Sequence, residues 1–220
     1  MSSNIKKVIK YILDTVNIKP GRIRFYKKDI ANLLKYGRNA PLYGERIIVN
    51  PNTIEYVIKP GLFGRSDSGR VISGDWDIKI TSIFKSPKYR VCYERFVNNK
   101  TWEQSGAYEL MNKLIIENPE SDGCLTIEDA IERYRNLDIA LEIIKKERKM
   151  RSKKELSPNS FRETGGIFIH IDRNGRPIFG GGGWHRLAIA KVLKLTEIPA
   201  QIGVVHREAL AIWKKSFLKS

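Results

Sequence analysis

The chain of 220 residues is 41% hydrophobic and 10% aromatic, enough to bury a core, so a disordered polymer is excluded. Forty Lys and Arg against 24 Asp and Glu leave a formal charge of +16, which predicts attraction to phosphates, nucleotides, nucleic acid or acidic glycans. Two cysteines (Cys92, Cys124) and three histidines (His170, His185, His206) without ligand spacing argue against a disulfide scaffold and a zinc site, and the apolar runs are too short or too interrupted for a signal peptide or membrane span.

A cytoplasmic protein with reduced thiols and no membrane partner is therefore expected. In chain order, Val8, Ile9, Ile12, Leu13 and Val16 recur at helical spacing, predicting a helix over residues 4–17. A second short helix is expected over Lys28–Tyr36, and a strand from Arg46 to Asn50, stopped by Pro51. Glycine and serine from Gly61 to Gly74 suggest a long loop, and GDWD (Gly74–Asp77) leads into an expected strand, Ile78–Phe84. Helices follow over Trp102–Glu117 and Thr126–Arg151, the latter opened by an N-cap at Thr126 with Asp129 three residues on.

Charge is uneven along this path. Residues 1–40 hold ten basic and two acidic groups, whereas residues 101–144 hold three basic and ten acidic ones. An acidic middle is not what a continuous nucleic-acid track requires, although the basic arm and the run Lys145–Lys154 could each meet a phosphate backbone. The division expected is a 1–100 extension with the basic arm and GDWD, a 101–162 helical connector, and a 163–220 domain.

The last segment carries the strongest signal. Ile167–Ile171 reads as a buried strand with His170 as a core histidine, Asp172–Gly175 as a turn and Pro177–Phe179 as a return strand. Four glycines, Gly180 to Gly183, then precede Trp184-His185-Arg186 and a helix-forming stretch, LAIAKVLKL. Ile198–Val205 is a further strand, and Ala209–Leu218 a final helix. Glycines admit close backbone approach, the first helical turn leaves N–H groups unpaired, and Arg and a partly protonated His add donors. Gly181, Gly182, Gly183, Trp184, His185 and Arg186 are therefore the candidate phosphate and nucleotide ligands, with Trp184 able to stack on a base or an acceptor. A flexible turn with structural salt bridges is the alternative.

The stretch FGGGGWHRLAIAKVLKLTEIPAQIGVV resembles the ParB/sulfiredoxin-like superfamily. Gly182, Gly183, His185 and Arg186 stand in its Gly-Gly-x-His-Arg box, and Ile198, Pro199 and Val204 in its Ile-Pro strand. Arg133 and Asp138 in ERYRNLD are similar to a segment that precedes such domains. The resemblance implies an α+β fold, with a small mixed-sheet nucleotide-binding domain at the C-terminus, an α/β extension before it and a helical middle. It implies ATP or CTP as ligand. Trp184 replaces the cysteine of sulfiredoxins, and neither the Gly-Glu-Arg-Arg box nor the trailing helix-turn-helix of partitioning ParB proteins is present. Sulfur chemistry and a DNA clamp are thus disfavoured.

Phosphoryl transfer would add Mg²⁺ and a carboxylate. Asp75 and Asp77, two apart on an expected strand, would share one face as a metal or acid–base pair, with loop capping as the alternative reading. Glu103, Glu163 and Asp172 are further carboxylates to weigh, and His185 is the candidate catalytic imidazole. The expected function is a nucleotide-dependent phosphotransferase or NTPase acting on a small molecule or glycan acceptor. A nucleic-acid-associated protein with DNA binding or nuclease activity is the alternative.

Overall fold

The computed structural model of the chain describes residues 20–217. The helix expected over residues 4–17 lies outside them, as does half of the basic arm. The architecture is mixed α/β, consistent with the α+β expectation, with seven α-helices and one mixed seven-stranded sheet among the described residues.

The strands are β1 (Arg46–Val49), β2 (Tyr56–Ile58), β3 (Val71–Ile72), β4 (Ile80–Ser82), β5 (Ile167–Ile171), β6 (Pro177–Phe179) and β7 (Ile198–His206). Their order is β1-β7-β5-β6-β2-β4, with β3 attached to β7. The nine-residue β7 is the hub. It runs antiparallel to β1 and parallel to β5, and Ala200 faces Ile47 on one side and Ile167 on the other. Its last residues, Val205 and His206, carry β3. β5 and β6 form the expected hairpin, and β6 joins β2 in parallel where Val57 faces Phe179. One sheet therefore draws strands from both ends of the chain, and β1–β4 complete the strands of the 163–220 segment.

All five residues of β5 are buried because both of its faces are covered. Ile167, Ile169 and Ile171 enter the main core. His170, alternating to the other face, meets Phe63, Trp76 and Phe168. Its Nδ1 accepts the Val204 N–H at 2.8 Å, and burial pushes its pKa down to about 3, so it is the neutral core histidine expected.

The helices are α1 (Ile23–Tyr36), α2 (Pro87–Phe96), α3 (Ala107–Glu117), α4 (Ile127–Glu147), α5 (Lys153–Leu156), α6 (Trp184–Val192) and α7 (Trp213–Phe217). α4 opens as the sequence indicates: Thr126 Oγ1 accepts the Asp129 N–H, and the Asp129 carboxylate accepts the Thr126 N–H. It stops at Glu147, short of Arg151, where Arg148 turns left-handed at φ 54°. α3 starts only at Ala107, because Gly106 before it has φ 79°.

Four local expectations are corrected. Helix α2 was not anticipated; Pro87 is at its first turn, and its buried Tyr89, Val91 and Cys92 face α6 rather than forming a long apolar stripe. The Gly61–Gly74 loop contains a 3-10 turn, Arg65–Asp67, and strand β3. GDWD does not enter a strand: Asp75–Ile78 is a 3-10 turn, and β4 is confined to Ile80–Ser82. Trp76 is buried there, with its indole N–H donating to the Ile72 carbonyl at 3.2 Å. The final helix is likewise divided into a 3-10 turn, Arg207–Ala211, and α7.

α6 is the element that positions the candidate site. Leu187, Ala188, Ile189 and Ala190 are fully buried, and three of these four enter the main core with α2 and β5. Burying a side chain such as Leu187 contributes about 1.5–3 kcal/mol, so the first turn of α6 is held against the sheet by its second.

Candidate functional site

The glycine loop joins β6 to α6 and forms one wall of a cavity of about 790 Å³. Gly181 and Gly183 have φ 80° and 96°, conformations that L side chains rarely adopt. Gly183 caps α6 without any side-chain acceptor, and the helical bond across the cap runs from Leu187 N–H to Gly183 C=O at 3.0 Å. The N–H groups of Trp184, His185 and Arg186 precede that bond and are the unpaired donors of the first turn. Gly182 has a separate reason to be glycine: a Cβ would lie 2.5 Å from Arg65 Nη2.

Arg65, Arg133 and Arg186 all line this cavity. Arg186 Nη2 donates to the Gly165 carbonyl at 2.6 Å. Arg65 donates to Gln201 Oε1 at 2.6 Å and to the Gly166 carbonyl at 2.8 Å. The Nε of Arg133 is buried without a partner among the described residues. Neutral oxygens thus orient two guanidiniums, and among the described residues none of the three arginines has a carboxylate within ion-pair distance. Burial lowers the pKa of Arg65 and of Arg186, and for Arg186 the neighbouring Arg65 charge adds to the effect. Such desolvated cations gain most from an anion placed between them.

The opposite wall comes from the 121–123 turn and α4, with Asp122, Cys124, Asp129, Glu132 and Asn136. Two of its carboxylates are already engaged. Asp122 bonds Lys88 Nζ at 2.5 Å; burial works against its charge, but Lys88 and the nearby positive groups hold its pKa below the usual range. Asp129 is spent on the cap of α4. Glu132 is exposed toward solvent at the cavity rim.

His185 is buried beneath the loop, its ring edge-on to Tyr134 with centroids 5.5 Å apart. Its Nε2 and the Tyr134 hydroxyl are both buried without a partner among the described residues. Burial, partly offset by Asp122, brings the His185 pKa down to about 4. The partly protonated imidazole expected from the sequence is therefore replaced by a neutral one, which can give or take a single hydrogen bond but brings no charge.

Asp75 and Asp77 are far from this arrangement in role. Neither lines the cavity. Arg173 Nη2 donates to Asp75 at 2.8 Å and to Asp77 at 2.6 Å, and Arg173 Nε adds a second bond to Asp77 at 2.8 Å. These Arg173 bonds hold the Asp77 carboxyl down to about 2. A guanidinium stands where a cation held by the pair would sit, so the donor set does not fit a metal. Among the described residues no cluster of three or more His, Cys, Asp or Glu is arranged to hold one. Of the other carboxylates, Glu163 accepts the Lys153 N–H and Asp172 accepts N–H groups of its own turn, while Glu103 is exposed and does not line the cavity. His206 caps the following turn and bonds the Gly74 carbonyl at 2.9 Å. Cys92 and Cys124 are buried free thiols.

The sequence therefore located the loop and α6 but missed Arg65 and Asp122 as cavity residues. Arg65 lies in a stretch read only as a loop, and nothing local marks it. Arg133 was singled out by the ERYRNLD segment. No helix among the described residues is long and apolar enough to cross a membrane. No protein-family model, curated protein or solved structure matches the chain at a significant level.

Proposed function

We propose that the chain binds a nucleoside triphosphate, ATP or CTP, with its phosphates in the cavity at the start of α6. The single observation that supports this is the convergence of Arg65, Arg133 and Arg186 with unpaired helix N–H groups on one cavity, with no carboxylate within ion-pair distance of the three cations among the described residues. A polyphosphate matches that set in both charge and acceptor number. The ParB/sulfiredoxin-like resemblance of the same loop points to the same ligand class. Mg²⁺ would arrive with the nucleotide, because the chain offers no cation site of its own among the described residues.

The reaction that fits is transfer of the terminal phosphate to a hydroxyl of a small molecule or glycan, or to water. The hydroxyl oxygen attacks the terminal phosphorus, the bond to the bridging oxygen breaks, and the nucleoside diphosphate leaves. Glu132, the cavity carboxylate that neither pairs with a lysine nor caps a helix among the described residues, takes the hydroxyl proton. The nucleic-acid reading has less support: in the Lys145–Lys154 run, Lys145, Lys149 and Arg151 pair with Glu142, Glu155 and Glu147.

The test is thermal unfolding with ATP, CTP, GTP and UTP, each with and without Mg²⁺, on wild type and Arg186→Ala. A ligand at a hundred times its dissociation constant adds about 2.7 kcal/mol. ATP or CTP should stabilise the wild type and largely fail to stabilise the variant. Equal stabilisation of both proteins would reject the cavity as the phosphate site.

A further inference from the structure

The glycine loop has a second hollow on its other side. A cavity of about 510 Å³ is bounded by Gly181 and Trp184, which also belong to the first cavity, and by residues of β2, β4 and the turns that follow them. Its character is different. Val57, Ile58, Pro60, Phe63 and Pro87 supply apolar surface, the hydroxyls of Thr81, Ser82 and Ser86 supply hydrogen bonds, and Lys59 and Lys85 are its only ionisable side chains among the described residues.

From this we infer that the second cavity is the nucleoside subsite of the ligand whose phosphates occupy the first, an inference that rests on the phosphate reading above. Three observations carry it. The two cavities share the Gly181–Trp184 wall, so one ligand crossing the loop reaches both. Beyond its two chain neighbours, no atom of the described residues lies within 4 Å of where a Cβ on Gly181 would be, so the loop at the crossing is open space. Finally, the described residues place no carboxylate, imidazole or thiol in the cavity, and so no such group there to take a proton from an acceptor hydroxyl. Acceptor chemistry belongs with Glu132 in the first cavity, and what the second can do is hold a ligand. Apolar walls with hydroxyl and ammonium donors at their edges suit a flat heterocycle with acceptor atoms on its rim. Trp184, packed edge-on against Phe179 with centroids 4.5 Å apart, is fixed as part of the wall.

The experiment compares binding of ATP, CTP and inorganic tripolyphosphate by calorimetry to wild type, Thr81→Trp and Lys85→Ala. Thr81 is an exposed residue of β4, so the indole would fill the hollow without entering the core. In wild type the preferred nucleotide should bind at least about tenfold more tightly than tripolyphosphate. Thr81→Trp should remove that advantage while leaving tripolyphosphate affinity within about twofold, which also reports a folded protein; Lys85→Ala should reduce the advantage by about threefold. Equal binding of nucleotide and tripolyphosphate in wild type overturns the subsite and leaves the phosphate cavity standing. So does an unchanged nucleotide affinity in both variants. Absence of binding for all three ligands overturns both readings together.

Discussion

Two of the places where arginines and acidic side chains come together, the GDWD turn and the glycine-loop cavity, behave in opposite ways. Around Asp75 and Asp77 the charges are matched: one guanidinium, Arg173, bonds both carboxylates, and Asp77 is only 5% exposed. Around the glycine loop they are not matched. Arg65 and Arg186 lean on neutral oxygens of Gln201, Gly166 and Gly165, and Arg133 Nε and His185 Nε2 lack partners among the described residues; of the cavity carboxylates Asp122 is occupied by Lys88 and Asp129 by a helix cap, which leaves Glu132 at the rim. A satisfied ion cluster ties down a turn. An unsatisfied one keeps its electrostatic interaction free for something from outside. Residue type does not separate the two cases, since both consist of Asp and Arg; only the partners do.

The contrast can be broken at either end. The largest effect is expected for Glu132→Gln. Turnover of the bound nucleotide should fall about a hundredfold, the low end for loss of a general base, while nucleotide affinity rises no more than about threefold. Single-turnover kinetics beside calorimetry separate the two, and unchanged turnover would move the base elsewhere. Next comes Arg186→Ala, which removes a charge-assisted contact of about 2 kcal/mol and should weaken tripolyphosphate binding about thirtyfold.

The closed cluster should answer only in stability. Asp77→Asn is expected to cost about 1–2 kcal/mol in urea unfolding at pH 7, after allowance for solvent screening, with tripolyphosphate binding unchanged. Because the folded pKa of Asp77, about 2, lies below its ordinary value of 3.8, this contribution is present above about pH 4 and is lost as pH falls through about 2. Wild type and variant should therefore converge in strong acid. A loss of binding in Asp77→Asn would abolish the distinction between the two clusters.

The smallest effect concerns His185. Its folded pKa of about 4 lies below the ordinary 6.5, so wild-type stability should decline as pH falls from 6.5 toward 4, when the unfolded state takes the proton first. His185→Gln should flatten that decline by on the order of 1 kcal/mol. An identical pH slope in the two proteins would mean that the imidazole is not held neutral by burial.

Much of this was legible from residue order because it depends on local physics. Thr126 and Asp129 cap a helix with groups three residues apart. Asp172–Gly175 closes a hairpin, and Gly180–Gly183 ahead of a good helix former predict a helix start with open amides. Alternation and apolar run length were enough to place β5 and β7. Other features depend on partners distant in sequence. GDWD looks like two carboxylates awaiting a cation until Arg173, 96 residues beyond Asp77, is folded against them. Arg65 becomes a cavity residue only because Gln201, 136 residues away, and the Gly166 carbonyl aim it there. The ordinary histidine pKa holds for His185 until α6 is buried against Tyr134. Short-range hydrogen bonding and hydrophobic spacing wrote the elements and the glycine loop into the chain. Which charges were cancelled, and which were left facing a cavity, was decided by packing, because desolvation and ion pairing act through space.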